Sequence, residues 1–167
     1  AGGSGGGEHG GTTTHADNGV APVKYVEEMR MYERPVVRNL GLVTYFEYEE
    51  AIAAAKKLKK PIMLDFTGIN CVNCRKMESQ VWSKPEVAQR LKNDFIVASL
   101  YCDYDKRDLP KEEQYYSQAL QVEVVTVGDR NEELQAAQFN SNSQPFYFFI
   151  DENGNKLAEE GYPYDPN

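Results

Sequence analysis

A chain of 167 residues is long enough for one domain with a sizeable core. Its formal net charge of −8 argues against a nucleic-acid or anionic-membrane binder, because phosphate binding needs a basic face. No run approaches the roughly 20 apolar residues of a membrane-spanning helix, and no apolar run follows a charged start as in a signal peptide, which an exported chain would already have lost.

Residues 1–19 are rich in glycine, serine and threonine with no apolar anchor, the composition of a flexible coil. Residues 20–38 are mixed, broken at Glu33-Arg34-Pro35, and are expected to drape over the domain as part of a flexible extension covering 1–38. The domain proper is expected over 39–167. Leu40 to Phe46 reads as a strand from its β-branched and aromatic content. Tyr48 to Lys60 reads as an amphipathic helix with Tyr48, Ala51, Ile52, Ala55 and Leu58 on one face, stopped by Pro61. Ile62 to Thr67 is a nearly continuous apolar run, as in a strand buried on both faces. Gly68 to Asn70 form a loop, and Cys71 opens a helix reaching about Trp82. Ser83-Lys84-Pro85-Glu86 has the pattern of a capping box and restarts helix toward Leu91, before a strand from Phe95 to Tyr101. Glu112 to Leu120 is a candidate helix in an insertion, and Val122 to Val127 is β-branched. Asp129-Arg130-Asn131-Glu132 is read as a second capping box, opening a helix to Phe139. Pro145 to Asp151 and Lys156 to Gly161 read as antiparallel strands around an Asn153-Gly154 turn. The order β-α-β-α-β, helical insertion, α-β-β is a thioredoxin-like α/β arrangement: a central mixed sheet with flanking helices behind a flexible N-terminal extension.

The three cysteines, Cys71, Cys74 and Cys102, are too few for a disulfide scaffold or an all-cysteine zinc site. His9 and His15 could complete a metal site only by folding the tail back, so no metal ion or other cofactor is expected. A lone C-x-x-C between a buried strand and a helix points to redox chemistry carried by the Cys71–Cys74 pair itself. A helix N-terminus stabilises a thiolate on its first residue, and residues three apart lie close enough to be bridged. Cys71 is therefore the attacking sulfur and Cys74 the resolving one. Asp65, the only charge in its strand, is a candidate proton acceptor for Cys74, since burial raises a carboxyl pKa toward neutrality. Glu78, four residues past Cys74, is a second candidate. Cys102 reads as a small buried hydrophobe.

The segments Lys60-Pro61-Ile62-Met63-Leu64-Asp65-Phe66-Thr67-Gly68, Cys71-Val72-Asn73-Cys74-Arg75-Lys76-Met77-Glu78, Val81-Trp82 and Pro85-Glu86-Val87 resemble the C-terminal thioredoxin-like domain of the DsbD thiol:disulfide interchange proteins. Leu100-Tyr101, Asp103, Gln144-Pro145-Phe146-Tyr147 and Gly161-Tyr162 also fit. The resemblance implies active-site carboxylates at Asp65 and Glu78. It also implies a cis-proline at Pro145, with Gln144, Val72 and Asn73 beside the substrate. It further implies a periplasmic or exported reductase, free or membrane-tethered in the full-length protein. Such a relay draws electrons from a DsbD-like transmembrane donor and serves periplasmic redox proteins in disulfide isomerisation or cytochrome c maturation. Partners are then protein thiols and disulfides, with a monomer expected. Two other functions stay open from the residues: an oxidase or isomerase on the same fold, since Val72-Asn73 does not reveal a potential, and a non-catalytic binding module using the groove beside Pro145.

Overall fold

The structure, a computed structural model, describes residues 20–162. The expectations for 1–19, His9 and His15 among them, lie outside the described residues. The central sheet has five strands in the order β1-β3-β2-β6-β7: β1 Thr44–Tyr45, β2 Ile62–Thr67, β3 Ile96–Tyr101, β6 Phe146–Ile150 and β7 Lys156–Gly161. β1, β3 and β2 run parallel, while β6 and β7 are antiparallel, which makes the sheet mixed as the pattern predicts. No helix among the described residues is long and apolar enough to cross a membrane.

Alternation along β2 divides the core. Ile62, Leu64 and Phe66 point to one face, where they pack with Ala51, Ile52 and Ala55 of helix α3 (Tyr48–Leu58) and with Leu134 and Phe139 of helix α6 (Val127–Phe139). Met63 points to the other face, where it packs with Met77, Trp82 and Leu91. Those residues come from helix α4 (Val72–Met77), the π-helical turn Glu78–Trp82 that continues it, and helix α5 (Pro85–Asn93). By the same alternation Asp65 and Thr67 face this second layer, beneath the helix that carries the cysteines.

Several local expectations differ from what the chain does. Only Thr44–Tyr45 of the expected first strand pairs with β3, because Gly41 turns the chain at φ +69° just before it. Helix α3 stops at Leu58, and Lys59 closes it in the left-handed region. The expected helix 112–120 is instead a 3-10 turn, Lys111–Glu113, followed by a hairpin of β4 (Tyr115–Ser117) and β5 (Val122–Val124). The Ser117 hydroxyl accepts from the Leu120 N–H, and Gln121 turns at φ +55°, which reverses the chain after only three strand residues. Ser83 does not cap α5. Its hydroxyl donates back to the Ser79 carbonyl, and Lys84 takes the N-cap position without a side-chain bond. At α6 the capping box lies three residues earlier than expected: Thr126 is the N-cap and Asp129 its reciprocal acid.

Residues 20–38 carry two short helices, α1 (Val26–Arg30) and α2 (Pro35–Asn39), which the sequence reading left unassigned. Both dock: Met29 is buried with Phe46, Tyr101, Tyr104 and Val124, and Val37 with Trp82 and Leu91. Glu28 fixes α1 through Arg107 at 2.6 Å and Tyr104 at 2.5 Å, and Glu50 accepts from the Val23 and Lys24 N–H groups. The expected domain start at residue 39 therefore falls at the end of a helix whose Val37 already belongs to the core.

Candidate active site

The site begins where β2 ends. The loop Gly68–Asn70 is held by Asp103, whose carboxylate accepts from the Ile69 N–H at 2.7 Å and the Asn70 N–H at 3.2 Å. Gly68 fits closely there: a Cβ would lie 3.1 Å from the Asp103 carboxylate and 3.4 Å from the Cys71 Cβ, so a larger residue would push the clamp by a few tenths of an ångström. Cys71 is then the N-cap of α4, and its sulfur accepts from the Cys74 N–H at 3.2 Å. The same unpaired N–H groups that receive this sulfur favour negative charge on it once the disulfide is open.

Cys71 and Cys74 are joined in a disulfide with Cα atoms 5.2 Å apart. Cys71 is partly exposed, whereas Cys74 is 1% exposed. Only the first sulfur is open to a partner. Val72 and Asn73 between them are exposed, Val72 at 67%.

Beneath the cysteines lies a buried polar cluster. Asp65 is 2% exposed, and its carboxylate accepts from the Ser99 hydroxyl at 2.9 Å across the β2–β3 ladder. Burial pushes its carboxyl up to about 7, against the downward pull of the Ser99 hydrogen bond and the Arg75 charge. Glu78 is 5% exposed and is likewise pushed up to about 7, by burial first and then by the negative charge of Asp65, with Arg75 opposing. Arg75 folds inward rather than toward solvent. Its Nη2 donates to the Thr67 hydroxyl at 2.8 Å, and its Nε lies 3.1 Å from Glu78 as an ion pair not aligned as a hydrogen bond. Two carboxyls with like charges repelling across one cluster titrate as a pair. Tyr101 and Tyr147 complete the cluster with hydroxyls that burial holds protonated.

The Gln144–Pro145 peptide bond is cis. In the β2–β6 register Phe66 sits opposite Phe146, so Pro145 lies at the end of the sheet from which the loop to Cys71 leaves. Gln144 is partly buried, and its Nε2 donates to Gln135 at 2.7 Å. Cys102 stands apart from the exchanging pair. Its sulfur is 3.7 Å from the Gln135 carbonyl oxygen, and burial pushes its thiol well above the ordinary range.

The structure thus brings Cys71, Cys74, Asp65 and Glu78 into one layer and puts Gln144 and Pro145 at the same sheet end. The sequence reading passed over Ser99, Arg75 and Asp103 as parts of the site. Asp103 had a signal, as an acid directly after a buried strand. Ser99 and Arg75 had none, since a serine in a strand and an arginine in a helix are ordinary.

Residues 48–167 match the family described as a thioredoxin-like domain. Among curated proteins, a thiol:disulfide interchange protein DsbD of Vibrio vulnificus is 44% identical over 46 residues, which is 28% of this chain and 8% of that protein. Among solved structures, the DsbH oxidoreductase superposes with a TM-score of 0.51 at 27% identity, covering 81% of each chain. A thioredoxin from Thermus thermophilus is similar at 20% identity and a TM-score of 0.49, over 72% of this chain and 75% of that one.

Proposed function

Because this chain belongs to the thioredoxin-like domain family and is a thioredoxin-fold thiol–disulfide oxidoreductase, we propose that it works as a reductase, passing two electrons from the Cys71–Cys74 dithiol to partner disulfides. The reading rests on one observation: an accessible sulfur at a helix N-cap, backed by a buried sulfur and two buried carboxyls poised near neutrality.

In the first step the Cys71 thiolate attacks one sulfur of the partner disulfide. A mixed disulfide forms, and the partner's other sulfur leaves as a thiolate. Cys74 then gives its proton to the carboxylate of Asp65 and attacks the Cys71 sulfur. The Cys71–Cys74 bond forms, the mixed disulfide breaks, and the partner leaves as a dithiol once its thiolates take up protons. A carboxyl near 7 is matched to this task, because it accepts a proton at neutral pH and releases it again. Glu78 and Arg75 tune that carboxyl as neighbours. The partner lies as an extended segment along Gln144, paired backbone to backbone beside Pro145, a short piece of strand addition flanked by Val72 and Asn73.

The reductive direction follows the resemblance of the Cys71–Cys74 segment to the DsbD interchange proteins. We further propose that the domain works in the periplasm. There it receives electrons from a DsbD-like membrane donor and passes them to redox proteins of disulfide isomerisation or cytochrome c maturation. The test is the reduction potential of the Cys71–Cys74 pair, equilibrated against glutathione, together with insulin reduction. A reductase should show a potential below about −200 mV and precipitate insulin, whereas a value near about −120 mV would make it an oxidant.

A further inference from the structure

Between α6 and β6 the chain passes through Asn140 to Gln144 before the cis bond to Pro145. One side chain holds this whole connection. Gln135, on α6, is 0% exposed. Its Nε2 donates to the Ser143 carbonyl at 2.7 Å and to the Ser141 hydroxyl at 2.9 Å. Its Oε1 accepts from Gln144 Nε2 at 2.7 Å. Its backbone carbonyl accepts from the Asn140 and Ser141 N–H groups, where Asn140 ends the helix in the left-handed region at φ +50°.

A buried amide is destabilising unless its donors and acceptor are paired. Here both N–H groups and the oxygen are paired, and apart from the Cys102 thiol, which donates to the same oxygen at 3.7 Å, the hydrogen-bond partners lie in a single loop. For stability alone, an apolar side chain at this core position would do as well. What the amide adds is direction: each bond fixes a different residue of the loop, and the last of them is Gln144.

We propose that Gln135 is the positioning residue of the substrate groove, holding the Ser141–Gln144 loop so that the Gln144 backbone is presented to an incoming extended segment. The proposal rests on the groove reading above. Gln135 does not touch the partner or the sulfurs, so its influence falls on docking and not on the exchange step at Cys71. A protein disulfide, which needs the groove, feels it. A small disulfide such as 5,5′-dithiobis(2-nitrobenzoate), which can reach Cys71 without strand pairing, does not.

The experiment measures KM and kcat for insulin reduction, and the rate with the small disulfide, in wild type, Gln135→Met and Gln135→Glu. Methionine keeps the length and removes the three side-chain bonds to the loop together with the long one from Cys102 Sγ. Glutamate keeps an acceptor for Gln144 and loses both donors. We expect KM for insulin to rise about tenfold in Gln135→Met, the effect of a lost buried hydrogen bond on docking, with kcat and the small-disulfide rate within about twofold of wild type. Gln135→Glu, which sets a carboxyl oxygen against the Ser143 carbonyl, should raise KM at least as much. If Gln135→Met does not fold, Ser141→Ala removes a single bond at a partly exposed position and should raise KM about twofold to threefold. An unchanged KM in the folded variants overturns the proposal, as does a parallel fall of kcat and of the small-disulfide rate. Wild type that fails to reduce insulin overturns the reductase reading instead, and the proposal with it.

Discussion

Replacing Asp65 by asparagine should make the protein more stable and slower at the same time. The ordinary aspartate value is 3.8, and in the fold this carboxyl sits at about 7. Below about pH 4 the folded and unfolded chains both hold the proton. Between about pH 4 and pH 7 the unfolded chain loses it while the folded chain keeps it, so the folded state loses stability as the pH rises; above pH 7 the deficit is complete. Roughly three pH units at about 1.36 kcal/mol each give a ceiling of about 4 kcal/mol. Asparagine keeps the shape and its oxygen still accepts from the Ser99 hydroxyl, but its amide N–H groups gain no partner among those that Asp65 has, which costs about 1–3 kcal/mol. The expected net gain is therefore about 1–3 kcal/mol at pH 8, turning into a deficit of about 1–3 kcal/mol near pH 4, where only the amide cost remains. Urea unfolding of the oxidised protein at several pH values measures it directly. Thiol–disulfide exchange by the same variant should slow by about tenfold or more near neutral pH. Removing the Asp65 charge also removes one of the influences that hold the Glu78 carboxyl up, so Glu78 should titrate at lower pH in the variant. A variant whose stability difference from wild type is the same at pH 4 and pH 8 would refute the reasoning, since the argument depends on an ionisation that the fold opposes.

The division of labour between the sulfurs is equally open to test. Cys71→Ser should abolish exchange, and Cys74→Ser should accumulate mixed disulfides with partners, seen as thiol-sensitive adducts on non-reducing gels. In the reduced native protein Cys71 should alkylate first, and the half-buried Cys102, whose thiol its surroundings keep protonated, more slowly; labelling of Cys74 or Cys102 ahead of Cys71 in mapped peptides would contradict the assignment. Asp103→Ala frees the Ile69 and Asn70 N–H groups and should lower stability by about 1–2 kcal/mol, read as a drop in Tm; an unchanged Tm would mean that the loop does not need this clamp.

Much of the site was legible because its residues break local rules. Asp65 stood out as a charge inside an apolar run, and Cys71 as a thiol where a buried strand gives way to a helix. Strand β2 was readable to the residue, since burial on both faces demands an uninterrupted apolar stretch. What escaped depends on partners far away in the chain. Gln135 looks like any polar residue in a polar helix until Ser141, Ser143 and Gln144 close around it. Strand β4 was read as part of a candidate helix over 112–120, because a three-residue strand is too short to show a period of two. Helices α1 and α2, at five residues each, lie below the length at which helical spacing can be seen. The displaced capping boxes teach a narrower lesson. Thr126 and Asp129 satisfy the pattern at α6 as well as Asp129 and Glu132 do, and only the chain's path from β5 decides which pair is used.

The clamp between Glu28 and Arg107 joins residues 79 positions apart, and around it Met29, Tyr104, Leu109 and Val124 share one apolar cluster. Residues 25–32 and the insertion after β3 therefore open together, since exposing either strips cover from the other. They form a single cooperative unit laid against the sheet, whose amides would exchange together at a free energy below that of global unfolding. Ile69, one residue inside the loop that leads to Cys71, packs against the same cluster. A loosening of that unit would thus reach the reactive sulfur as a change in the loop's order, with no bond at the cysteines altered.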